Sequence, residues 1–446
     1  MIELLSMEAW ALVMFVVLMF TLLLGYPVAF TLGAIALVFG AIFLDVNDFN
    51  SLPLRIWGIM TNFTLLAVPL FVFMGMVLEK SGLAEDLLEN MAKLFGAFPG
   101  GLALSIVVVG AFLAATTGVV GATVVTMGII ALPAMLKNGY APSLATGTIA
   151  ASGTLGQIIP PSIILILLAD VVGVPVGRLF IGAIIPGILL IALYLAYIFI
   201  TALLHPETAP ALTDKNQHWD IKTAIRIAAS VLPVLLLILI VLGTIFFGVA
   251  SPTESAAFGA FGALLLSMIY RRCNAKNLLE SMRQTTRLTS MVFLILIGAT
   301  AFGLVFRLMG GDHLVHDILT QLPGEKWGFL IVSLVLIFIL GFFLDFLEIC
   351  FIVVPILTPI AAHFGIDLVW FAILIAINLQ TSFLTPPFGF SLFYLKAVAP
   401  SNMRINVIYK GVMPFVLLQV FGLVLLVIFP QIVLWLPNLM DQLQGF

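Results

Sequence analysis

Runs of about 20 mostly apolar residues, the length a helix needs to cross the hydrocarbon core of a bilayer, follow one another along almost the whole of this chain. They fall at roughly residues 9–25, 28–46, 61–80, 100–137, 140–172 and 178–204, and again at roughly 228–248, 253–270, 288–309, 326–363, 366–398 and 411–436. None alternates apolar and polar residues as the strands of a membrane barrel do. Only 9% of the 446 residues are charged and 63% are hydrophobic, too little polar surface to cover a soluble fold. The expectation is an all-α polytopic membrane protein with the lipid bilayer as its solvent and no nucleic acid as partner. The run at 9–25 lacks the basic n-region and A-x-A site of a cleaved leader, and reads as a retained span. Cys273 and Cys350 lie far apart in unlike settings, which implies neither a disulfide framework nor a metal cluster.

The second series of runs repeats the order of the first. Pro133, Gly139, Pro160 and Pro161 are matched by Pro359, Gly365, Pro386 and Pro387, each pair 226 positions apart, and self-similarity at a fixed offset is the mark of an internal repeat. The stretches 100–137 and 326–363 are too long for one crossing and have polar middles, which predicts re-entrant hairpins. Each half then has five membrane crossings, one of them a Pro-Pro-broken helix, and one hairpin. An odd number of crossings turns the second half upside down, so the fold expected is two inverted repeats: 1–204, a linker at 205–227, and 228–446.

Charge sets the orientation. The stretch 271–287 carries Arg271, Arg272, Lys276, Arg283 and Arg287 against Glu280, and reads as a cytoplasmic loop by the positive-inside rule. Counting crossings from there puts fourteen of the eighteen basic residues on the cytoplasmic side, leaving Arg55, Arg178, Arg307 and Lys326 outside. Both termini are then periplasmic, the linker is cytoplasmic, the first hairpin opens to the cytoplasm and the second to the periplasm. Residues 84–95 set Leu87, Leu88, Met91, Leu94 and Phe95 on one helical face, as an interfacial arm would.

Non-helical backbone at membrane depth persists only where protein buries it or where it lines a wet cavity. The first hairpin has Thr116, Thr117, Gly118, Gly121 and Thr123 in its middle, with glycines for a tight turn and hydroxyls as oxygen ligands. In ASGTLGQIIPPS, Pro160 and Pro161 supply no amide protons, and the freed carbonyls can coordinate a cation. LQTSFLTPPFGF repeats the device at Pro386 and Pro387, with Ser382 and Thr385 adding hydroxyls. A bare helix kink is the simpler reading of one such motif; two matched copies beside polar hairpins point to ion sites. Asp345 and Glu348, three residues apart in the second hairpin, share a helical face and can bind a cation, carry a proton or cap a helix. Ser152, Thr154, Asn378 and Gln380 precede the breaks, the first and third and the second and fourth again 226 apart. They are candidates for touching the transported solute or, equally, for bonding helix to helix. His313 and His316 beside Asp312 and Asp317 read as a solvated loop. No H-E-x-x-H, G-x-S-x-G or Walker A string is present, so no catalytic residue is expected and the chain does not read as an enzyme.

The strings SGTLGQIIPPS at 152–162, SPTESAAFGA at 251–260 and NLQTSFLTPPFGFSLF at 378–393 resemble the large membrane subunit of tripartite ATP-independent periplasmic (TRAP) transporters, the DctM-like family. The resemblance covers almost the whole chain. It implies a multi-pass protein of the bacterial inner membrane and sodium-coupled uptake of a small organic acid by an elevator-like movement. It also implies a periplasmic solute-binding protein and a small four-helix membrane subunit as partners, with Na+ as coupling ion and no other cofactor. By resemblance, one sodium site comprises the Thr117–Thr123 tip with the carbonyls of Gly156, Ile159 and Pro161, and the other comprises Gly341, Ser382, Thr385 and Phe388. This chain has Thr117-Gly118-Val119-Val120 where the family usually has Ser-Gly-Ser-Ser. Ser382 stands where Gly is common, and Glu348 where a small residue is, a change that would tune ion or substrate charge. A stand-alone proton- or sodium-coupled organic anion symporter is the alternative.

Overall fold

The computed structural model describes residues 6–444 apart from 83–85, 89, 92–94, 97, 119 and 212–220, and no strand occurs among them. Helices α1 (Met7–Leu23), α2 (Val28–Phe43), α3 (Leu52–Met60) and α4 (Ala67–Lys80) open the chain. Helices α5 (Gly101–Thr117) and α6 (Val120–Lys137) form the first hairpin, α7 (Pro142–Thr154) and α8 (Ile163–Val172) flank the first Pro-Pro pair, and α9 (Val176–Leu204) follows. Then come α10 (Ile221–Phe246), α11 (Pro252–Ile269), α12 (Ala275–Leu308) and a short α13 (Gly311–Thr320). The second hairpin is α14 (Glu325–Leu340) and α15 (Phe346–His363), the latter with a π-turn at Ile349–Val353. Helices α16 (Leu368–Leu384) and α17 (Phe390–Val398) flank the second Pro-Pro pair, before α18 (Ile405–Ile428) and α19 (Gln431–Gln444).

Local chemistry accounts for the boundaries. The SPTES string starts α11: Ser251 Oγ accepts the Glu254 amide at 3.3 Å, Glu254 returns a carboxylate to the Ser251 amide at 2.7 Å, and Pro252 takes the position that needs no N–H. Asn274 caps α12 through the Asn277 amide at 2.7 Å. Because that cap precedes a run of good helix formers, the basic stretch expected as a loop is helical from Ala275 onward, and α12 reaches Leu308 as one rod of 34 residues. Its counterpart in the first half is interrupted between α3 and α4. There Asn62 Oδ1 accepts the Thr64 amide at 2.9 Å, a side-chain bond that competes with the helix. Pro430 divides the last apolar run into α18 and α19.

Residues 311–320, expected as a solvated loop, are the helix α13, entered through Gly310 at φ +80°. The His316 ring lies edge-on to that of His363, 5.4 Å away. Only part of the amphipathic segment 84–95 belongs to the described residues; there Leu87, Leu88 and Met91 are buried, and the Met91 carbonyl accepts from Ser105 of α5 at 2.8 Å. Of the linker, 212–220 lies outside the described residues, while Thr208 and Ala209 accept the amides of Ala141 and Gly100 at 2.9 and 2.8 Å.

Helix boundaries recur at the sequence offset: Val120–Lys137 and Phe346–His363 are displaced by 226 at both ends, and so are the starts of α7 and α16. Packing divides the helices into two groups. In one, α2 lies along α12 and α4 along α11, with α10 against α11; these helices turn large apolar side chains such as Phe30, Leu37 and Phe258 outward. In the other, α7 is gripped by α5, α6 and α18, α16 by α14 and α18, and α17 lies against α6. All residues of 144–154 and of 369–384 are buried, so the broken helices form the centre of this group. Gly147 and Gly411 let α7 and α18 touch backbone to backbone, since a Cβ on Gly147 would run into the Gly411 carbonyl. The equivalent positions are Ile373 and Ile185, and α16 and α9 do not meet as closely.

Candidate ion-coupling and solute site

The first hairpin turns at Gly118, whose φ of +60° is open to glycine at little cost. A Cβ there would lie 3.1 Å from Ile163, so the tip rests on the residue that begins α8. The hairpin also holds α7. A Cβ on Gly110 would stand 2.6 Å from that of Ser152, and one on Gly153 would enter the Val124 side chain. Thr123 is buried; the side chains of Thr116 and Thr117, and all of Val119, lie outside the described residues. Beyond Thr154 the chain tightens into a 3-10 turn, Leu155–Gln157, and passes the cis bond between Pro160 and Pro161. Ser162 closes the break, donating to the Gln157 carbonyl at 2.9 Å and capping α8. Gly156, Ile159 and Pro161 thus lie on one short irregular segment against α5.

The second break is built alike. A Cβ on Gly341, at the end of α14, would strike the Ser382 hydroxyl, so these two predicted residues are in contact. After Leu384, Thr385 is extended, the bond between Pro386 and Pro387 is cis, and Gly389 restarts the helix. Gly389 approaches backbone oxygens: a Cβ there would lie 2.6 Å from the Phe383 carbonyl and 3.0 Å from that of Thr385. The Ser382 and Thr385 hydroxyls donate to the carbonyls of Leu379 and Thr381 at 2.8 and 2.7 Å. With their protons committed, both turn lone pairs to any cation nearby. Phe388 is half exposed and its ring packs 5.4 Å from Phe343.

The remaining candidates divide by role. Asp345 accepts the Phe346 amide at 2.7 Å, and Glu348 accepts the Asp345 amide, a reciprocal cap at the start of α15. Asn378 donates to the Leu334 carbonyl at 2.7 Å, bonding α16 to α14. Ser152 and Thr154 donate within α7, to Thr148 and Ala151, at 2.6 and 2.8 Å. Gln380 is fully buried, and its amide makes no hydrogen bond of regular geometry.

Sequence reasoning missed several residues that join elements. Tyr394 of α17 lies over Gly121 of the first hairpin, 3.1 Å from where a Cβ would stand, and is within electrostatic reach of Asp345 in the second. Asn62 donates to Asp170 at 2.7 Å and Thr126 to Glu79 at 3.3 Å, so the link before α4 and the last turn of α4 both hold the group that contains the breaks. Single polar residues within apolar runs, as in LLADVV and MVLEK, were the available signal. Among the described residues no three His, Cys, Asp or Glu side chains gather as a metal site; hydroxyls and carbonyls are the donors at the breaks, and such neutral oxygens suit a hard monovalent cation.

A sequence model of the DctM component of tripartite ATP-independent periplasmic transporters matches residues 13–432. The chain belongs to this family. It is 30% identical to the C4-dicarboxylate TRAP transporter large permease protein DctM of Pseudomonas aeruginosa, over 88% of this chain and 90% of that one. It is 31% identical to the sialic acid TRAP transporter large permease protein SiaM of Vibrio cholerae, over 93% and 95%. The YdaH transporter of Alcanivorax borkumensis, in a crystal structure, shares the fold with a TM-score of 0.64 and 16% identity, over 93% of this chain and 98% of that one. As a DctM-family permease subunit the protein is an integral inner-membrane transport protein and not an enzyme.

Proposed function

We propose that this DctM-family subunit imports a small organic acid against its gradient by coupling it to sodium entry. The observation that carries the reading is the pairing of each helix break with a hairpin turn of its own half, Gly118 on Ile163 and Gly341 on Ser382. Sodium is held at the two breaks. The first site takes the Thr117–Thr123 tip, including Gly118 and Gly121, with carbonyls of Gly156, Ile159 and Pro161; the second takes Gly341, Ser382, Thr385 and Phe388. The solute lies between them, near Ser152, Thr154, Asn378 and Gln380, with Asp345 and Glu348 at the turn of the second hairpin. Relatives that carry C4-dicarboxylates and sialic acid favour a carboxylate.

The halves 1–204 and 228–446 are inverted repeats joined by the cytoplasmic linker 205–227. The group around α7 and α16 moves as a body against the frame of α2, α4, α11 and α12, an elevator-like step. A periplasmic solute-binding protein delivers the solute, and a small four-helix membrane subunit completes the complex. The test is uptake into proteoliposomes holding this subunit, its small partner and the cognate binding protein, with inward sodium and proton gradients imposed separately. Uptake that needs sodium and the binding protein is the expected result. Uptake driven by protons without that protein would instead establish a stand-alone organic anion symporter.

A further inference from the structure

Two cavities lie between the frame and the hairpins, at equivalent places in the two halves. One, of about 490 Å³, is bounded by the last two turns of α12, by α13 and by α15, the second helix of the second hairpin. The other, of about 480 Å³, is bounded by the last turn of α4, by the residues that begin α12 and by α6, the second helix of the first hairpin. Ser81, Thr126, Ile129 and Ile130 line the second cavity, and Arg307, Ile352, Pro355 and Ile356, each 226 positions further on, line the first. In the orientation proposed above the two open to opposite sides of the membrane, and both volumes suit a small solute.

The charges around the first cavity suit an anion. Of the basic residues placed on the periplasmic side, Arg178 is held by Asp441 at 3.2 Å, and Lys326 stands over the rings of Trp327 and Trp370. Arg307 is exposed and enters no ion pair among the described residues. The one carboxylate on the cavity wall, Asp312, accepts the His313 amide at 3.0 Å. Phe302 and Phe306 form the wall on the Arg307 side, and low-dielectric walls focus the field of a cation within a cleft. A guanidinium with its fork open matches a carboxylate through two parallel N–H bonds. From Arg307 the cavity runs inward to Phe351 and Ile352, both buried in the π-turn that directly follows Glu348. It therefore leads from an open cation toward the turn of the second hairpin, along a recess that a small solute can enter and a folded protein cannot.

We propose that this cavity is the port through which the solute enters, and that the Arg307 guanidinium takes its carboxylate on the way to the hairpin turn. The port rests on the organic-acid import proposed above, not on the identity of the coupling ion. The matched cavity beside Ser81 gives the opposite face an equivalent recess, as alternating access between inverted halves requires.

The test is uptake in the reconstituted three-component system as the concentration of solute-loaded binding protein is varied. Arg307→Gln is expected to lower the maximal rate by about tenfold or more, the scale of one charge-assisted hydrogen bond, and to leave the half-saturating concentration of loaded binding protein unchanged. Arg307→Lys, a point charge without the fork, is expected to keep roughly a third of the rate. With Cys273→Ser as background, Arg307→Cys should match Arg307→Gln; aminoethyl methanethiosulfonate, which restores a cation, should recover most of the rate, and sulfonatoethyl methanethiosulfonate, which adds an anion, should not. An undiminished rate in Arg307→Gln, or equal recovery with both reagents, would overturn the port. A change confined to the half-saturating concentration would also overturn it, and would make Arg307 a contact for the binding protein. Wild-type uptake driven by protons would remove the sodium reading and leave the port standing, whereas transport of a solute with no anionic group would remove the organic-acid reading and the port together.

Discussion

At the second break a glycine without a side chain meets a hydroxyl already committed to a carbonyl. Gly341 leaves room for Ser382 and for nothing else. Gly341→Ala is therefore expected to push α14 away from α16, lowering stability by about 1–3 kcal/mol as overpacking does. It should also raise the sodium concentration for half-maximal uptake while leaving the solute dependence at saturating sodium nearly intact. Thermal unfolding in detergent reads the first effect and the uptake assay the second. Gly341 and Ser382 were legible as candidates because the Pro-Pro strings name their own neighbourhoods, and chain order places each hairpin before its break. Asn378 could not be assigned from sequence alone, because an amide in a buried helix reads the same whether it faces a solute or a carbonyl; the structure puts its nitrogen on the Leu334 carbonyl. Tyr394 was overlooked for a related reason. A single polar residue in a long apolar run gains meaning only when its partners, some of them more than 200 positions away, are seen.

At the scale of elements, length and hydropathy located the hairpins and broken helices to within a few residues, since their ends are set by glycines, prolines and caps that act locally. The frame helices were read less well. The extension of α12 through the basic stretch depends on Asn274 and on intervening helix formers, whereas a charge count sees only a loop. The interruption between α3 and α4 depends on Asn62, whose oxygen holds Thr64 and whose nitrogen reaches Asp170. That second bond joins the frame to the group around the breaks and provides a test of the moving-body proposal. With cysteines at positions 62 and 170 and Cys273→Ser as background, a short bis-methanethiosulfonate reagent is expected to arrest uptake, and a reductant to restore it. Full cross-linking with undiminished uptake would show that these elements do not move apart.

For the molecule as a whole, the proposed orientation rests on charge, which puts fourteen of the eighteen basic residues on one side. An alkaline phosphatase fused after Phe446 is expected to be active, as a periplasmic enzyme, and one inserted at Lys215 inactive. Both active, or both inactive, would place the two points on the same side and undo the inverted arrangement. The division into frame and central body was not legible, because it is defined by which helices pack together across the two halves, and hydropathy is blind to that.

The unequal frame helices bear on the mechanics of the two faces. α12 is an unbroken rod, and its counterpart is a jointed one, α3 and α4, with the joint pinned by a single amide. A continuous helix resists bending along its length, whereas a joint gives locally. In the proposed inverted arrangement, the two ends of the transport path would thus be bounded by walls of different compliance. Distortion accompanying solute entry or exit will concentrate at residues 61–66, beside Asp170, while the corresponding stretch of α12 transmits force with little strain of its own.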